Sequence, residues 1–155
     1  MAPPPQAHRR RPRLRHATIA LTAACVLVAA GCGGDEQPAA PPPSPEQQVR
    51  EVWRGAARAA ADGDGAGFCD RVAPAGKDKL LARTMLPCED TIRLLASRLT
   101  EADRQAVLGA QITAVTVTGD RALVRYETTP TLSKLGFTGR TSLTKAGGQW
   151  LLLGI

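Results

Sequence analysis

Four cysteines carry the most reactive side chains of this 155-residue chain. Cys25 lies within an apolar run, Cys32 follows shortly after that run, and eighteen residues separate Cys69 from Cys88. A cysteine side chain can act as a nucleophile, carry a lipid, bind zinc or form a disulfide. No two of these cysteines have the Cys-x-x-Cys spacing that is typical of redox and zinc sites. The spacing therefore favours covalent modification or a disulfide over metal or redox chemistry.

General acid–base chemistry has few candidate side chains. The two histidines, His8 and His16, both precede the apolar run at residues 17–30. If this region is removed during export, the mature chain lacks histidine, which is the commonest general base and a frequent metal ligand. The sequence also lacks the Gly-x-Ser-x-Gly elbow, the P-loop and the dinucleotide-binding glycine pattern. We therefore predict no catalytic residue, no metal site and no cofactor.

The first 31 residues have the pattern of an export signal. Five arginines between Arg9 and Arg15 are followed by 14 uncharged and almost wholly apolar residues at positions 17–30. A helix that spans a bilayer needs about 20 such residues. A basic segment followed by a shorter apolar one instead predicts a cleaved signal peptide over residues 1–31.

The residues Ala29-Ala30-Gly31-Cys32 resemble the lipobox of bacterial lipoproteins. The resemblance implies that the signal is cut before Cys32 and that the Cys32 thiol is lipidated. Acyl chains, such as palmitate, would then anchor the protein in the cell membrane with its domain on the extracytoplasmic side. The alternative is a plain signal peptide cut after Ala30 or Gly31, which would leave Cys32 as a free thiol.

The net charge of +6 is concentrated in the signal segment. Five of the 20 basic residues precede residue 17 and residues 1–31 contain no acidic residue, so fifteen basic and 14 acidic residues remain. Nucleic-acid binding requires a basic stripe on the folded domain, and this near balance argues against it. Residues 32–44 are rich in proline, alanine and glycine, a composition that cannot form a core and predicts an extended tether.

Helical periodicity begins after the tether, so we predict a folded domain over residues 45–155. Ser44, Pro45 and Gln47 form a helix-start pattern with a capping box. The apolar stripe that follows ends at Asp62-Gly63, where glycine suits a helix terminus. We predict helices over residues 45–62, 66–72, 75–84 and 88–99, and a fifth from the Thr100 start signal to Gly109.

After Gly109 the apolar pattern changes to the alternation of β-strands. We predict strands over residues 112–118, 122–127, 137–145 and 150–155, with Pro130 ending or bending the second. Helices followed by an antiparallel meander indicate an α+β fold, in which the helices cover one face of the sheet. The strand threonines, Thr141 among them, are predicted mostly to face solvent.

Export also decides the expected state of Cys69 and Cys88. An exported domain lies in an oxidising compartment, where a remaining pair of cysteines usually forms a disulfide. We predict a disulfide between Cys69 and Cys88, which have eighteen residues between them. Closing a loop of that length stabilises the fold by roughly 3 kcal/mol.

The order of the elements is similar to that of the NTF2-like superfamily. The resemblance covers residues 46–155 and is carried by VREVWRGAARAAADGD, VTVTGDRALVRY and GGQWLLLGI. It implies a cone in which N-terminal helices pack on a curved antiparallel sheet of about four strands. Some enzymes of this superfamily use an aspartate base with a tyrosine, and Asp70 and Tyr126 are the pair that could do so here. A base of this kind would need burial to raise its pKa, and nothing in the sequence shows burial of Asp70.

Five aromatic residues could line a pocket in such a cone or fill its core: Trp53, Phe68, Tyr126, Phe137 and Trp150. We expect Trp53 and Trp150 to fill the core and to pack together. We predict a membrane-tethered, non-catalytic module that binds an unidentified protein partner or small ligand. The alternatives are a structural or accessory domain of the cell envelope and an NTF2-like enzyme with an aspartate base. A deep pocket would favour ligand binding, an exposed apolar patch a partner protein, and a filled cone with a polar surface a structural role.

Overall fold

The computed structural model describes residues 41–134 and 138–154. The predicted signal peptide, Cys32 and the tether up to residue 40 lie outside the described residues, and so does Phe137. Among the described residues, none of the helices combines the length and the apolar character that a membrane crossing requires.

The first helix, α1, spans Pro45–Asp62, as the sequence predicted. The capping box is present: the Gln47 backbone N–H donates to Ser44 Oγ at 3.2 Å, and the Ser44 N–H donates to Gln47 Oε1 at 2.8 Å. These bonds satisfy two of the backbone groups left unpaired at a helix start. Gly63 ends the helix in the left-handed conformation, at φ 74°.

Four further helices follow in the predicted order: α2 Gly65–Cys69, α3 Pro74–Thr84, α4 Cys88–Ser97 and α5 Glu101–Leu108. The predicted start signal at Thr100 is confirmed, because its side chain accepts a hydrogen bond from the Asp103 N–H at 3.2 Å. The Asp64 carboxylate caps α2 in a similar way, since it accepts from the Gly67 N–H at 2.9 Å.

Two helices end earlier than the sequence predicted. We expected α2 to reach residue 72, but it ends at Cys69 because the next residues pair with the last strand. The Leu152 N–H donates to Arg71 O, and the Ala73 N–H donates to Leu152 O, both at 2.8 Å. The helix α4 ends at Ser97 rather than residue 99, since the chain turns there towards the cap of α5.

The strands form one antiparallel meander: β1 Ile112–Thr118, β2 Arg121–Tyr126, β3 Arg140–Ala146 and β4 Gln149–Leu152. Their order in the sheet is β1-β2-β3-β4, so every strand pairs with its sequence neighbour. The predicted four strands and the α+β class are confirmed. The predicted bounds of the last two strands were wrong by up to three residues, since β3 begins at Arg140 and β4 ends at Leu152.

A short helix that the sequence analysis did not predict, α6 Pro130–Lys134, lies between β2 and β3. The second strand does end before Pro130, as predicted. Proline then suits the first turn of a helix, where its missing N–H has no partner to lose. The Leu132 N–H donates to Thr129 Oγ1 at 3.2 Å, and the Leu132 side chain is buried. Burial of Leu132 against Ala61 and Val107 therefore holds α6 to the helices.

The helices cover one face of the sheet, which we call the inner face. Val49 and Trp53 of α1 share one buried cluster with Val124 of β2 and Leu143 of β3. Residues that pair across strands project from the same face. Ala122, Val124 and Tyr126 of β2 therefore alternate with Arg121, Leu123 and Arg125, which lie on the opposite, outer face.

A disulfide joins Cys69 at the end of α2 to Cys88 at the start of α4, with an S–S distance of 1.96 Å. The predicted pairing of these two cysteines is confirmed. The two helices are also close at Gly65, where an added Cβ would lie 2.6 Å from the Glu89 carbonyl oxygen. The disulfide therefore closes a region in which glycine already permits close backbone contact.

Candidate functional site

The interior site is built around two aromatic rings. The ring centroid of Trp53 on α1 lies 4.8 Å from that of Tyr126 on β2, with an interplanar angle of 42°. Phe68 of α2 and Thr141 of β3 line the same small cavity. The structure therefore brings together three of the aromatic residues that we predicted for a pocket or core.

Thr141 was predicted to face solvent, and that prediction was wrong. It pairs with Val124 in the sheet register, so its side chain projects from the inner face, where it is 6% exposed. It hydrogen-bonds with the Tyr126 side chain. The register of β3 was needed to find it, because a shift of one residue reverses the face of every side chain.

The Tyr126 phenol is held in its neutral form. Burial raises its pKa above 10.0, and hydrogen bonds from Thr141 and the backbone of Gly139 offset this only in part. A buried phenolate is unfavourable because the charged form loses its solvation. At ordinary pH this side chain can therefore act as a hydrogen-bond donor but not as a base.

The cavity between these residues has a volume of about 20 Å³. That is room for about one water molecule. Trp53, Phe68 and Leu152 fill most of the space between α1, α2 and the sheet. As described, this part of the interior is a packed core and not an open ligand pocket.

Asp70 does not share this cavity. It is exposed just after α2 and lines a different groove, of about 510 Å³, with Glu51 and Arg71. Tyr126 points instead into the buried core. The structure thus separates the aspartate and the tyrosine that we paired as a catalytic candidate, with Asp70 in an exposed groove and Tyr126 in the core.

Trp150 lies in the core and is 4% exposed. It belongs to the same buried cluster as Trp53, but the aromatic ring in contact with Trp53 is that of Tyr126. Lys145 Nζ lies 5.9 Å from the centroid of the Trp150 ring, within the range of a cation–π contact. The Trp150 Nε1 has no hydrogen-bond partner among the described residues. Both tryptophans therefore lie in the core, as we expected, and the ring contact that the structure shows for Trp53 is with Tyr126.

The outer face of the sheet forms a second candidate site, which the sequence analysis missed. Arg121 and Arg125 of β2 line an open groove of about 460 Å³ together with Leu123 between them. Hydroxyl side chains of neighbouring strands complete the lining: Thr116, Thr118 and Ser142. This surface offers cationic and hydroxyl donors on adjacent strands of the sheet. The alternation of arginine with leucine in β2 was the signal that could have found it.

The helical surface exposes a small apolar patch at the end of α3. Leu81 is 47% exposed and Met85, which caps the helix, is 81% exposed. The Met85 N–H donates to Leu81 O at 2.8 Å, so the two residues are neighbours at the end of the helix. They give the domain an apolar contact point as well as its cationic sheet face.

No group of three or more histidine, cysteine or acidic side chains that could hold a metal ion occurs within residues 41–134 and 138–154. Comparison of the chain with protein-family models, with curated proteins and with solved structures found no match.

Proposed function

We propose that this chain is a bacterial lipoprotein, anchored through Cys32, whose NTF2-like domain acts outside the cytoplasm as a non-catalytic binding module. The observation that supports binding on the outside of the domain is the packed interior between α1, α2 and the sheet. A cavity of about 20 Å³ between Trp53 and Tyr126 cannot admit an organic ligand. Because this part of the described interior is filled, we place binding on the exterior of the domain, where the described residues line open grooves.

Export is supported by the disulfide between Cys69 and Cys88. Stable disulfides form in oxidising compartments and are rare in the cytosol. The lipobox-like residues before Cys32 and the basic, apolar segment upstream supply the expected route and anchor. The NTF2-like assignment is supported by the order of its elements, with α1 on the inner face of a four-stranded meander.

A protein partner is favoured over a purely structural role by the exposed pair Leu81 and Met85. Large apolar side chains that are exposed together often mark a contact site. The test is the double substitution Leu81→Ser and Met85→Ser. If the domain is a binding module, the variant should fold normally but lose capture of its partner protein. If the role is purely structural, the variant should behave like the unchanged protein.

The anchor is tested by changing Cys32 to Ala in the full-length precursor and following the protein by cell fractionation. We expect the variant to leave the membrane fraction or to accumulate as uncut precursor. The matched control is Cys25→Ala, which alters a cysteine of the discarded apolar run and should leave retention and processing unchanged. Normal membrane retention and normal cutting of the Cys32 variant would contradict the proposal.

A further inference from the structure

The charge of the folded domain is divided unequally between its two layers. Residues 44–111, which form helices α1 to α5, contain ten basic and ten acidic residues. Residues 112–155, which include the sheet, contain five basic and two acidic residues. The net charge of +3 on residues 44–155 therefore comes entirely from the part of the domain that includes the sheet.

Three of those five basic residues lie on the outer face of the sheet. Arg125 and Arg140 are direct partners across β2 and β3, and Arg121 lies on the same face of β2. All three side chains are exposed. Like charges directly opposite each other destabilise a sheet pair. An anion placed against this face would remove that repulsion.

The described residues supply no such anion. None of the three arginines forms an ion pair within residues 41–134 and 138–154, where the two salt bridges both belong to Arg93 of α4. The two acidic residues of this layer, Asp120 and Glu127, lie in the β1–β2 turn and beyond the end of β2. The arginines are therefore available to an external partner.

The charges extend along the sheet, because Arg125 and Arg140 are neighbours and Arg121 lies further along β2. Arg121 and Arg125 lie four positions apart along the strand, which corresponds to about 13 Å. Hydroxyls on the same face, at Thr116, Thr118 and Ser142, can donate hydrogen bonds between the charged positions. This arrangement fits an extended array of anionic groups better than a single small anion.

We infer that the outer face of the sheet docks on the anionic phosphate headgroups of the membrane to which the chain is tethered. The inference rests on the proposed lipid anchor at Cys32. Residues 32–44, if extended, would reach about 40 Å at roughly 3.1 Å per residue, which is comparable to the diameter of roughly 35 Å of a domain of this size. Arginine and hydroxyl donors match phosphate oxygens, and basic residues are attracted to anionic lipid.

A second copy of this chain is a poorer occupant of the same face. Packing two copies face to face would bring six arginines together without an acidic partner on either outer face of the described sheet. Like-charge contacts of this kind cost free energy at an interface. The face is therefore suited to a surface of the opposite sign.

The test uses the lipidated full-length protein with one reporter thiol, Ser142→Cys, labelled with an environment-sensitive dye. Ser142 is exposed on the outer face. The introduced thiol is the free one once Cys32 carries lipid and the other two cysteines form their disulfide. The labelled protein is placed in vesicles of phosphatidylcholine alone or of phosphatidylcholine with phosphatidylglycerol. The control reporter is Ser97→Cys, on the exposed end of α4 in the helical layer.

We expect the Ser142 dye to shift to an apolar spectrum in the vesicles that contain phosphatidylglycerol and not in the neutral ones. The shift should disappear near 1 M salt, where the Debye length is about 3 Å. Arg125→Gln and Arg140→Gln should each lower the docked-to-undocked ratio about fivefold, since each basic residue near such a surface contributes about 1 kcal/mol. The Ser97 dye should not respond.

Three results would overturn the inference: no shift with anionic vesicles, an equal shift with neutral ones, or an equal shift of the Ser97 dye. A shift produced by added polyglutamate but not by anionic vesicles would also overturn it and would assign the face to an acidic protein. The intact mass of the same sample shows whether Cys32 carries lipid. Lipidated protein without a shift therefore refutes only the docking, whereas protein without lipid refutes the proposed anchor and the docking together.

Discussion

The ring of Tyr126 lies against that of Trp53, at a centroid distance of 4.8 Å, and the pair closes the space between α1 and the sheet. Tyr126 is the single tyrosine of the chain, so its ionisation can be followed without interference from another phenol. Its burial makes the protonation state of this side chain a contributor to stability.

We expect stability to fall as the pH rises above about 10, in part because of Tyr126. Burial raises the folded-state pKa above 10.0, so in that pH range the folded state retains a proton that the unfolded state has released. The stability that the neutral Tyr126 side chain contributes is therefore fully present below the pKa of tyrosine in the unfolded chain. It is lost as the pH rises through the pKa of Tyr126 in the folded protein. Urea denaturation at increasing pH should show a smaller loss in Tyr126→Phe than in the unchanged protein. Equal losses, or a phenol that titrates at or below pH 10, would contradict the burial of this side chain.

A methyl group at Gly65 should destabilise the fold. An added Cβ would lie 2.6 Å from the carbonyl oxygen of Glu89, which is backbone and cannot move aside cheaply. Overpacking of this kind costs about 1–3 kcal/mol. The matched control is Gly55→Ala, where the nearest atom is Arg71 Nε at 2.8 Å, the end of a flexible side chain. Denaturant midpoints of the two variants should differ, with Gly65→Ala the lower, and equal midpoints would contradict the close contact of α2 with α4.

Arg104 should hold three helices together through two carbonyl oxygens. Its guanidinium donates to Ala61 O at 2.9 Å and to Ala96 O at 3.2 Å, near the ends of α1 and α4. Hydrogen bonds from a charged donor contribute about 1.5–3 kcal/mol, so we expect Arg104→Ala to lower the free energy of unfolding by about that amount.

The control for Arg104→Ala is Arg98→Ala, because Arg98 is exposed and its side chain makes no hydrogen bond within the described ranges. Arg104→Lys should give an intermediate stability, since an ammonium group lacks the planar fork that reaches two acceptors. If Arg104→Ala and Arg98→Ala have the same effect in thermal unfolding, the helix-joining role of Arg104 is wrong.

Replacing both Cys69 and Cys88 with serine should lower the free energy of unfolding by roughly 3 kcal/mol, because the disulfide restricts the unfolded chain. The unchanged protein should lose a similar amount in the presence of a reductant, whereas the double-serine variant should not respond to it. Equal stability of the variant and the oxidised protein would show that the bond closes without contributing to the fold.

Local signals in the sequence were sufficient to predict the first helix of the domain. The helix α1 was predicted with its observed ends because Ser44, Gln47 and Gly63 act within a few residues of the termini they define. The four strands and their order followed from alternation and from glycine turns, which are also local. The pairing of Cys69 with Cys88 followed from counting cysteines in an exported chain.

Features that depend on distant residues were not predictable in the same way. The early end of α2 results from pairing of Arg71 and Ala73 with Leu152, about eighty positions along the chain. The inward direction of Thr141 depends on the register of β3, which its own residues do not specify. The cationic outer face also requires the register, because it places Arg125 of β2 opposite Arg140 of β3.

The lipid anchor at Cys32 is the central claim, and intact mass spectrometry of protein purified from its own membrane fraction tests it most directly. We expect a mass that begins at Cys32, includes acyl chains and increases by two hydrogens on reduction of the Cys69–Cys88 disulfide. A mass that lacks lipid, whether it begins at residue 31 or 32 or retains the signal, would contradict the anchor and with it the proposed position of the domain at the membrane.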